Sequence, residues 1–241
     1  MSETGRRSPR DLVFTTMVWD GNASVADLQA HIERMKRHAD RLRIQWPVNM
    51  NELISRALGQ LGHHATGQPY QPNGLLRMEL KRNGELNLEP RTFSLRNEQI
   101  EAITVEAPRW SPKVNGTKHG DWQPYLNAMN QADRAGTDLA LLVHEYAIVD
   151  GDRATPMVFD EDSTVWVCDD TEGSVESITA SILIPLLEAS GIPVQKGRLN
   201  ERLVARALEM VAVGSGLGAS QIESINGDLI GKDHGLSLIH I

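Results

Sequence analysis

One cysteine, Cys168, stands in 241 residues. That excludes an internal disulfide and the zinc sites that need several cysteines. No stretch approaches the roughly 20 consecutive apolar residues of a membrane-spanning helix, and the opening MSETGRRSPRD lacks the apolar core of a secretory signal. These absences point to a soluble protein of the reducing cytoplasm. Basic charge is scarce too: 24 Lys and Arg stand against 32 Asp and Glu, a formal net charge of -8. No basic stripe of the kind that neutralises phosphates along a nucleic acid is present, so nucleic acid is not an expected partner. What remains is ordinary for a folded chain: 40% hydrophobic and 23% charged residues, too apolar for disorder. The length suits one large domain or two of ordinary size, either with a real core.

Residues 12–19, LVFTTMVW, read as a strand from their aromatic and β-branched content, ended by Asp20, Gly21 and Asn22. Ser24 is the expected cap of the next helix, with Asp27 in its first turn and Val25, Leu28, Ile32, Met35, Ala39 and Leu42 at helical spacing. His31, Arg34 and His38 fall on the shoulder of that apolar face, where they either look into a cleft or form a solvated basic stripe. A second helix is expected over 49–62, on Leu53, Ile54, Ala57 and Leu61, before a polar loop from His63 to Asn73. In LLRMELKR, Leu76, Met78 and Leu80 alternate with Arg77, Glu79 and Lys81, and Asn83-Gly84 signals a two-residue hairpin loop before Leu86 and Leu88. A strand at 100–107 leads into the proline- and glycine-bearing crossing 108–120, with a domain boundary near 113. Beyond it come a helix from Trp122 to Ala135, stopped by Gly136, and a buried strand DLALLVHE. Three short strands, AIVDG, PMVFD and TVWVC, then read as antiparallel sheet. Ile225-Asn226-Gly227-Asp228 reads as another hairpin turn.

Lys118 stands in GTKHGDW, and Asp150 follows in VDGDRATPMVF. A primary amine condenses with an aldehyde, and an anion keeps a pyridine nitrogen protonated so that the ring accepts electrons from a carbanion. In this order the two segments resemble the class IV, fold-type IV aminotransferase family of pyridoxal-phosphate enzymes. The resemblance implies that Lys118 carries pyridoxal 5'-phosphate as a Schiff base and that Asp150 holds the ring nitrogen. The family's acid is a glutamate, so Asp150 reaches less far. Asp152 is a second candidate, and Asp150 before a glycine also suits a turn acceptor. The HIER segment implies Arg34 as the grip on the cofactor phosphate, a role that suits a planar guanidinium.

In SVESITASILIPLLEASG, Ile178 and Thr179 match a family turn that opens a helix, where free N–H groups favour an anion. The family's glycine and arginine at this turn are Ser177 and Ala180 here, and Thr179 has the alternative of a plain helix cap. Ser215, in GSGLGAS, matches a hydroxyl-bearing loop that touches phosphate or substrate carboxylate, or else makes only a tight turn. Asp121 and Trp122 stand where family members carry asparagine or tyrosine. Arg77 sits where members often carry an arginine, although a strand-face charge reads as solvent exposure.

The resemblance runs from Val13 to Gly231. It implies a two-domain, D-amino acid aminotransferase-like fold: an α/β domain over 1–113, a larger α+β cofactor-binding domain over 114–235, and the cofactor between them. Residues 236–241, LSLIHI, resemble a translated transposase mosaic-end adapter and are expected to be an artefact that replaces the natural C-terminus. The family's opening strand and turn are absent, so either this branch starts short or that end is incomplete. The implied activity is transamination between an amino acid and a 2-oxo acid by a homodimer, with Lys118 also acting as general acid and base. FTT at 14–16 and Lys118-His119 resemble the family's 4-amino-4-deoxychorismate lyases, which eliminate pyruvate to give 4-aminobenzoate. A non-catalytic relative that keeps the fold is the remaining alternative. No metal site is indicated.

Overall fold

The computed structural model describes residues 7–22, 24–64, 74–91 and 99–231. The chain clusters into two units, Met1–Ser94 with Thr117–Trp122, and Leu95–Gly116 with Gln123–Ile241. Where the sequence suggests one boundary near 113, the chain enters the second unit earlier and returns to the first for the short segment that carries Lys118.

In the first unit, β1 (Leu12–Trp19), β2 (Gly74–Lys81) and β3 (Leu86–Arg91) form an antiparallel sheet in that order. The alternation in β2 buries Leu76, Met78 and Leu80 completely. On its other face Arg77 Nε donates to Glu79 Oε1 at 2.7 Å, and the guanidinium lies 3.6 Å from the Phe14 ring centroid. Arg77 is therefore not a solvated charge: ring and carboxylate leave only 12% of its side chain exposed. The hairpin loop is also longer than expected. Lys81 N donates to Glu85 O, leaving Arg82, Asn83 and Gly84 as a three-residue link with Gly84 at φ 84°, the left-handed position such a loop needs.

Helix α1 (Leu28–Leu42) starts later than Ser24 suggests. The Asp20 carboxylate accepts from Asn22 N and Ser24 N, so Ser24 closes the turn after β1 instead of capping the helix. Asp27, at φ 52°, precedes α1 without a side-chain cap bond. Its buried face consists of His31, Arg34, Met35, His38, Ala39 and Leu42. The basic shoulder points inward, while Leu28 and Ile32 keep partial exposure. Helix α2 (Met50–His64) runs past the expected end at 62; most of the expected loop, from 65 to 73, lies outside the described residues, as does LSLIHI.

Thr117–Trp122 lies along β1. Val13 and His119 form a bridge, Phe14 N donates to Lys118 O and Gly120 N donates to Pro9 O. A Cβ on Gly120 would collide with the Ser8 carbonyl oxygen and come within 3.3 Å of Asp11 Cβ. Gly120→Ala is expected to destabilise the protein by about 1–3 kcal/mol through overpacking, read as a lower thermal midpoint.

The second unit carries β4 (Ile100–Glu106), α3 (Gln123–Ala135), β5 (Leu139–His144), β6 (Ala147–Gly151), β7 (Thr155–Asp160), β8 (Val165–Cys168), α4 (Ile178–Ala189), β9 (Val194–Gly197), β10 (Leu199–Asn200), α5 (Glu201–Ala205), β11 (Ala207–Gly214), β12 (Gly218–Ile225) and β13 (Asp228–Leu229). The sheet order is β10-β6-β5-β4-β12-β11-β7-β8-β9, with β13 beside β12. β4 runs parallel to β5 and β12, and β8 parallel to β9, so the sheet is mixed. The three short strands enter antiparallel pairs, as expected, but on two ladders. β6 pairs with β5 and β10, whereas β7 pairs with β11 and β8, because the bend at 152–154 moves the chain from one ladder to another. Ala180 and Leu187 of α4 pack on Met157, Val165, Val167, Val211 and Val213. α3 stops at Gly136, φ 75°, where Thr137 N reaches back to Ala132 O. Asn226 and Gly227, at φ 54° and 86°, make the expected turn between β12 and β13.

Candidate active site

Residues three and four apart on a helix share a face, and α1 uses this to bring His31, Arg34 and His38 together beside β1 and the Lys118 segment. Arg34 is 4% exposed. Its Nη2 donates to Thr15 Oγ1 at 2.7 Å, and the same hydroxyl lies 2.7 Å from His31 Nδ1. His38 Nδ1 accepts the Lys118 main-chain N–H at 3.1 Å. The Lys118 Nζ lies 4.8 Å from the Trp122 ring centroid and 5.3 Å from that of Phe14, two rings that meet edge to face at 4.9 Å.

Electrostatics sort the four basic groups into two cations and two neutral rings. Burial, then the charges of Arg34 and Lys118, push His31 down to about 3. The same causes, with Arg41 and Arg37 added, hold His38 well below the usual imidazole range. Both rings are uncharged at pH 7, so the local charge is that of Lys118 and Arg34, and the cluster favours an anion. His119 is buried as well and pushed down to about 4 by burial, with the Asp121 charge opposing.

The second unit holds the other predicted residues. Asp150, near the end of β6, is 4% exposed. Its Oδ2 accepts from the Tyr125 hydroxyl and from Val175 N, both at 3.1 Å, and its Oδ1 from Gly151 N at 2.9 Å. Burial and Asp150 push the Tyr125 phenol well above its ordinary range, so it stays a donor. Asp152 is clamped by Arg153 through Nε and Nη2, both at 3.1 Å, and accepts from Ala140 N. Both acids are thus held from within the unit, Asp152 by Arg153 and Ala140 N, Asp150 by Tyr125, Val175 N and Gly151 N.

Val175 N ties Asp150 to the segment that enters α4. There Ser177 is the N-cap, its hydroxyl accepting from Ala180 N at 3.2 Å. Thr179 is thus inside the first turn and is not the cap; its N–H and that of Ile178 are among the first of the helix. Ser215 lies elsewhere, in the short link between β11 and β12, where Leu217 N donates to Gly214 O. Sequence reasoning missed Thr15, the roles of the α1 histidines, and Tyr125. The α1 spacing and the threonines of FTT carried some signal, but Tyr125 gave none, because its partner lies on a distant strand.

The sequence pattern of the family described as amino-transferase class IV matches residues 12–225. The chain belongs to the class IV aminotransferase family. A solved structure described as a candidate 4-amino-4-deoxychorismate lyase is similar at 24% identity and a TM-score of 0.76, covering 95% of this chain and 88% of its own. A branched-chain aminotransferase from Thermoproteus uzoniensis, with norvaline, gives 19% identity and a TM-score of 0.79 over 96% and 82% of the two chains. A hypothetical aminotransferase from Mycobacterium tuberculosis, in a pyridoxal-phosphate-bound form, gives 15% and 0.80 over 95% and 86%. No curated protein matches the chain. At these identities the structural likeness shows the fold, which is the mixed α/β, fold-type IV architecture expected from sequence.

Members of the family are pyridoxal-phosphate enzymes, aminotransferases or lyases. The residues of each unit fit that group: in the first, an amine and a guanidinium suit an aldehyde and a phosphate; in the second, a buried carboxylate suits a cationic ring. Among the described residues no cluster of His, Cys, Asp and Glu could hold a metal ion, and no helix is long and apolar enough to cross a membrane.

Proposed function

We propose that this protein is a pyridoxal-phosphate-dependent aminotransferase that moves an amino group between an amino acid and a 2-oxo acid, with Lys118 as its catalytic residue. The observation that carries the reading is that the Lys118 main chain is bonded to His38 on α1, one helical turn from the buried Arg34. Bound pyridoxal phosphate supplies an aldehyde for an amine and a ring that accepts electrons. Lys118 Nζ would hold that aldehyde and, once displaced by the substrate's amine, would take the proton from the α-carbon and deliver it to the former aldehyde carbon. Phe14 and Trp122 shield the amine from water. Arg34 grips the phosphate, and the N–H groups of Ile178 and Thr179, with Ser215, are further phosphate donors in this reading. Asp150, held by Tyr125 and Val175, takes the ring nitrogen.

Two measurements test this. The first is formation of a new 2-oxo acid and amino acid from a panel of donor and acceptor pairs by the cofactor-loaded protein. The second is pyruvate release from aminodeoxychorismate, which supports the lyase alternative that the similarity to the candidate lyase favours. Failure of both, with no lysine-bound cofactor, leaves the non-catalytic relative. Arg34→Ala is expected to weaken pyridoxal-phosphate binding by about 10- to 100-fold, the scale of one or two charge-assisted hydrogen bonds, as measured by fluorescence titration. Arg34→Lys is expected to restore only part of it, because an ammonium lacks the guanidinium fork.

A further inference from the structure

We infer that His38 is a positioning residue for Lys118, holding the lysine's main chain on α1 at a fixed span from Arg34. The inference rests on the proposed role of Lys118 and goes beyond it. Lys118 lies in an irregular segment, outside any helix or strand, so regular backbone bonding does not fix its direction. Two bonds from regular elements fix it instead. The Lys118 N–H donates to His38 Nδ1 on α1 at 3.1 Å, and the Lys118 carbonyl accepts from Phe14 N on β1 at 3.3 Å. The peptide groups on either side of the lysine are thus pinned to different elements. Arg34 precedes His38 by one helical turn, so a rigid rise of about 6 Å separates the phosphate grip from the lysine anchor. A long side chain on an unanchored backbone would spread its amine over many positions, and proximity loses most of its effect when reacting atoms are misplaced.

The clamp works only with a neutral ring. A neutral imidazole offers one acceptor nitrogen, whereas the imidazolium has two donors and would oppose the Lys118 N–H. His38 is 2% exposed, and its burial, with Arg34, Lys118, Arg41 and Arg37 around it, keeps it uncharged. Accepting at Nδ1 leaves the proton on Nε2.

The test uses the full chain with and without pyridoxal phosphate. In the wild-type protein, nitrogen-15 spectra of the imidazoles are expected to show His38 Nδ1 unprotonated and coupled across a hydrogen bond to the Lys118 amide. A protonated Nδ1 overturns the inference. In His38→Leu, hydrogen exchange at the Lys118 amide is expected to quicken about tenfold, as for loss of one hydrogen bond. Lysine-bound cofactor, trapped by borohydride and read by mass, is expected to need about tenfold more pyridoxal phosphate. His38→Asn, whose side-chain oxygen can accept the same N–H, is expected to restore both readouts. A folded His38→Leu with wild-type exchange and wild-type cofactor binding overturns the clamp, and so does a folded His38→Asn that restores neither. If wild-type protein forms no lysine-bound cofactor, the proposed function fails, while the imidazole spectrum and amide exchange still decide whether His38 holds Lys118.

Discussion

Lys118→Ala is expected to lower amino transfer by at least about 10³-fold, a loss within the range assigned to a positioned general acid and base, and to remove the visible band of lysine-bound pyridoxal phosphate. The two losses share one cause. The side chain that binds the aldehyde is also the one that carries the proton, and the sequence places no other lysine in the segment that packs on β1. The fold should survive. Lys118 is only partly buried, and the bonds that seat its segment run through main-chain atoms that alanine keeps. Arg34 keeps its bond to Thr15, and the variant is expected to retain non-covalent cofactor binding through the proposed phosphate grip. Added methylamine should recover part of the rate by supplying the missing base. A second signature is independent of turnover. The Lys118 charge is among the causes that depress His31 and His38, so both imidazoles should titrate at higher pH in the variant, by proton NMR. Undiminished turnover by Lys118→Ala would end the aminotransferase assignment for this residue.

How much of this was legible beforehand differs between elements for physical reasons. The strand at 12–19 and the alternation of Leu76, Met78 and Leu80 were legible because period-two patterning reports burial directly. The stop at Gly136 and the turn at Asn226-Gly227 were legible because their backbone demands positive φ. On α1 the apolar Met35, Ala39 and Leu42 were legible, but the choice between cleft and solvent for His31, Arg34 and His38 was not. Periodicity ranks positions by hydropathy, and it cannot know that Thr15 on a neighbouring strand offers Arg34 an acceptor, or that Lys118 offers His38 a donor. Polar groups can be buried where they find such partners. The sheet order was illegible for a similar reason. β6 and β7 follow one another in sequence, yet they do not pair, and β10 and β11, later in the chain, are among their partners. Lys118 and Arg34 were legible as residue types in ordered segments; that they share one cluster with two neutral histidines is information only the fold holds.

That cluster, with His119, sets the second large expectation: between pH 7 and pH 5 the protein should lose about 6 kcal/mol of stability, from three histidines at about 2 kcal/mol each. His31 is pushed down to about 3 and His119 to about 4, and His38 lies well below its ordinary range. Unfolded, each takes up its proton near pH 6.5. Each folded value lies below the unfolded one, so the unfolded chain binds protons that the folded chain refuses. The stabilisation is complete above the unfolded value and is lost as the pH falls from there toward the folded value. Asp152 has the opposite sign, since burial raises it, but its ordinary range is more acidic and it offsets little above pH 5. Against a typical total of about 5–15 kcal/mol, the loss brings a domain of ordinary stability close to unfolding at pH 5. Urea denaturation at pH 7, 6 and 5 measures it, and His31→Asn, which cannot titrate, should flatten the slope by about a third, one histidine's share of the three. Equal stability at pH 7 and pH 5 would mean that the folded protein accepts these protons, and the α1 cluster would then carry added positive charge on its imidazoles.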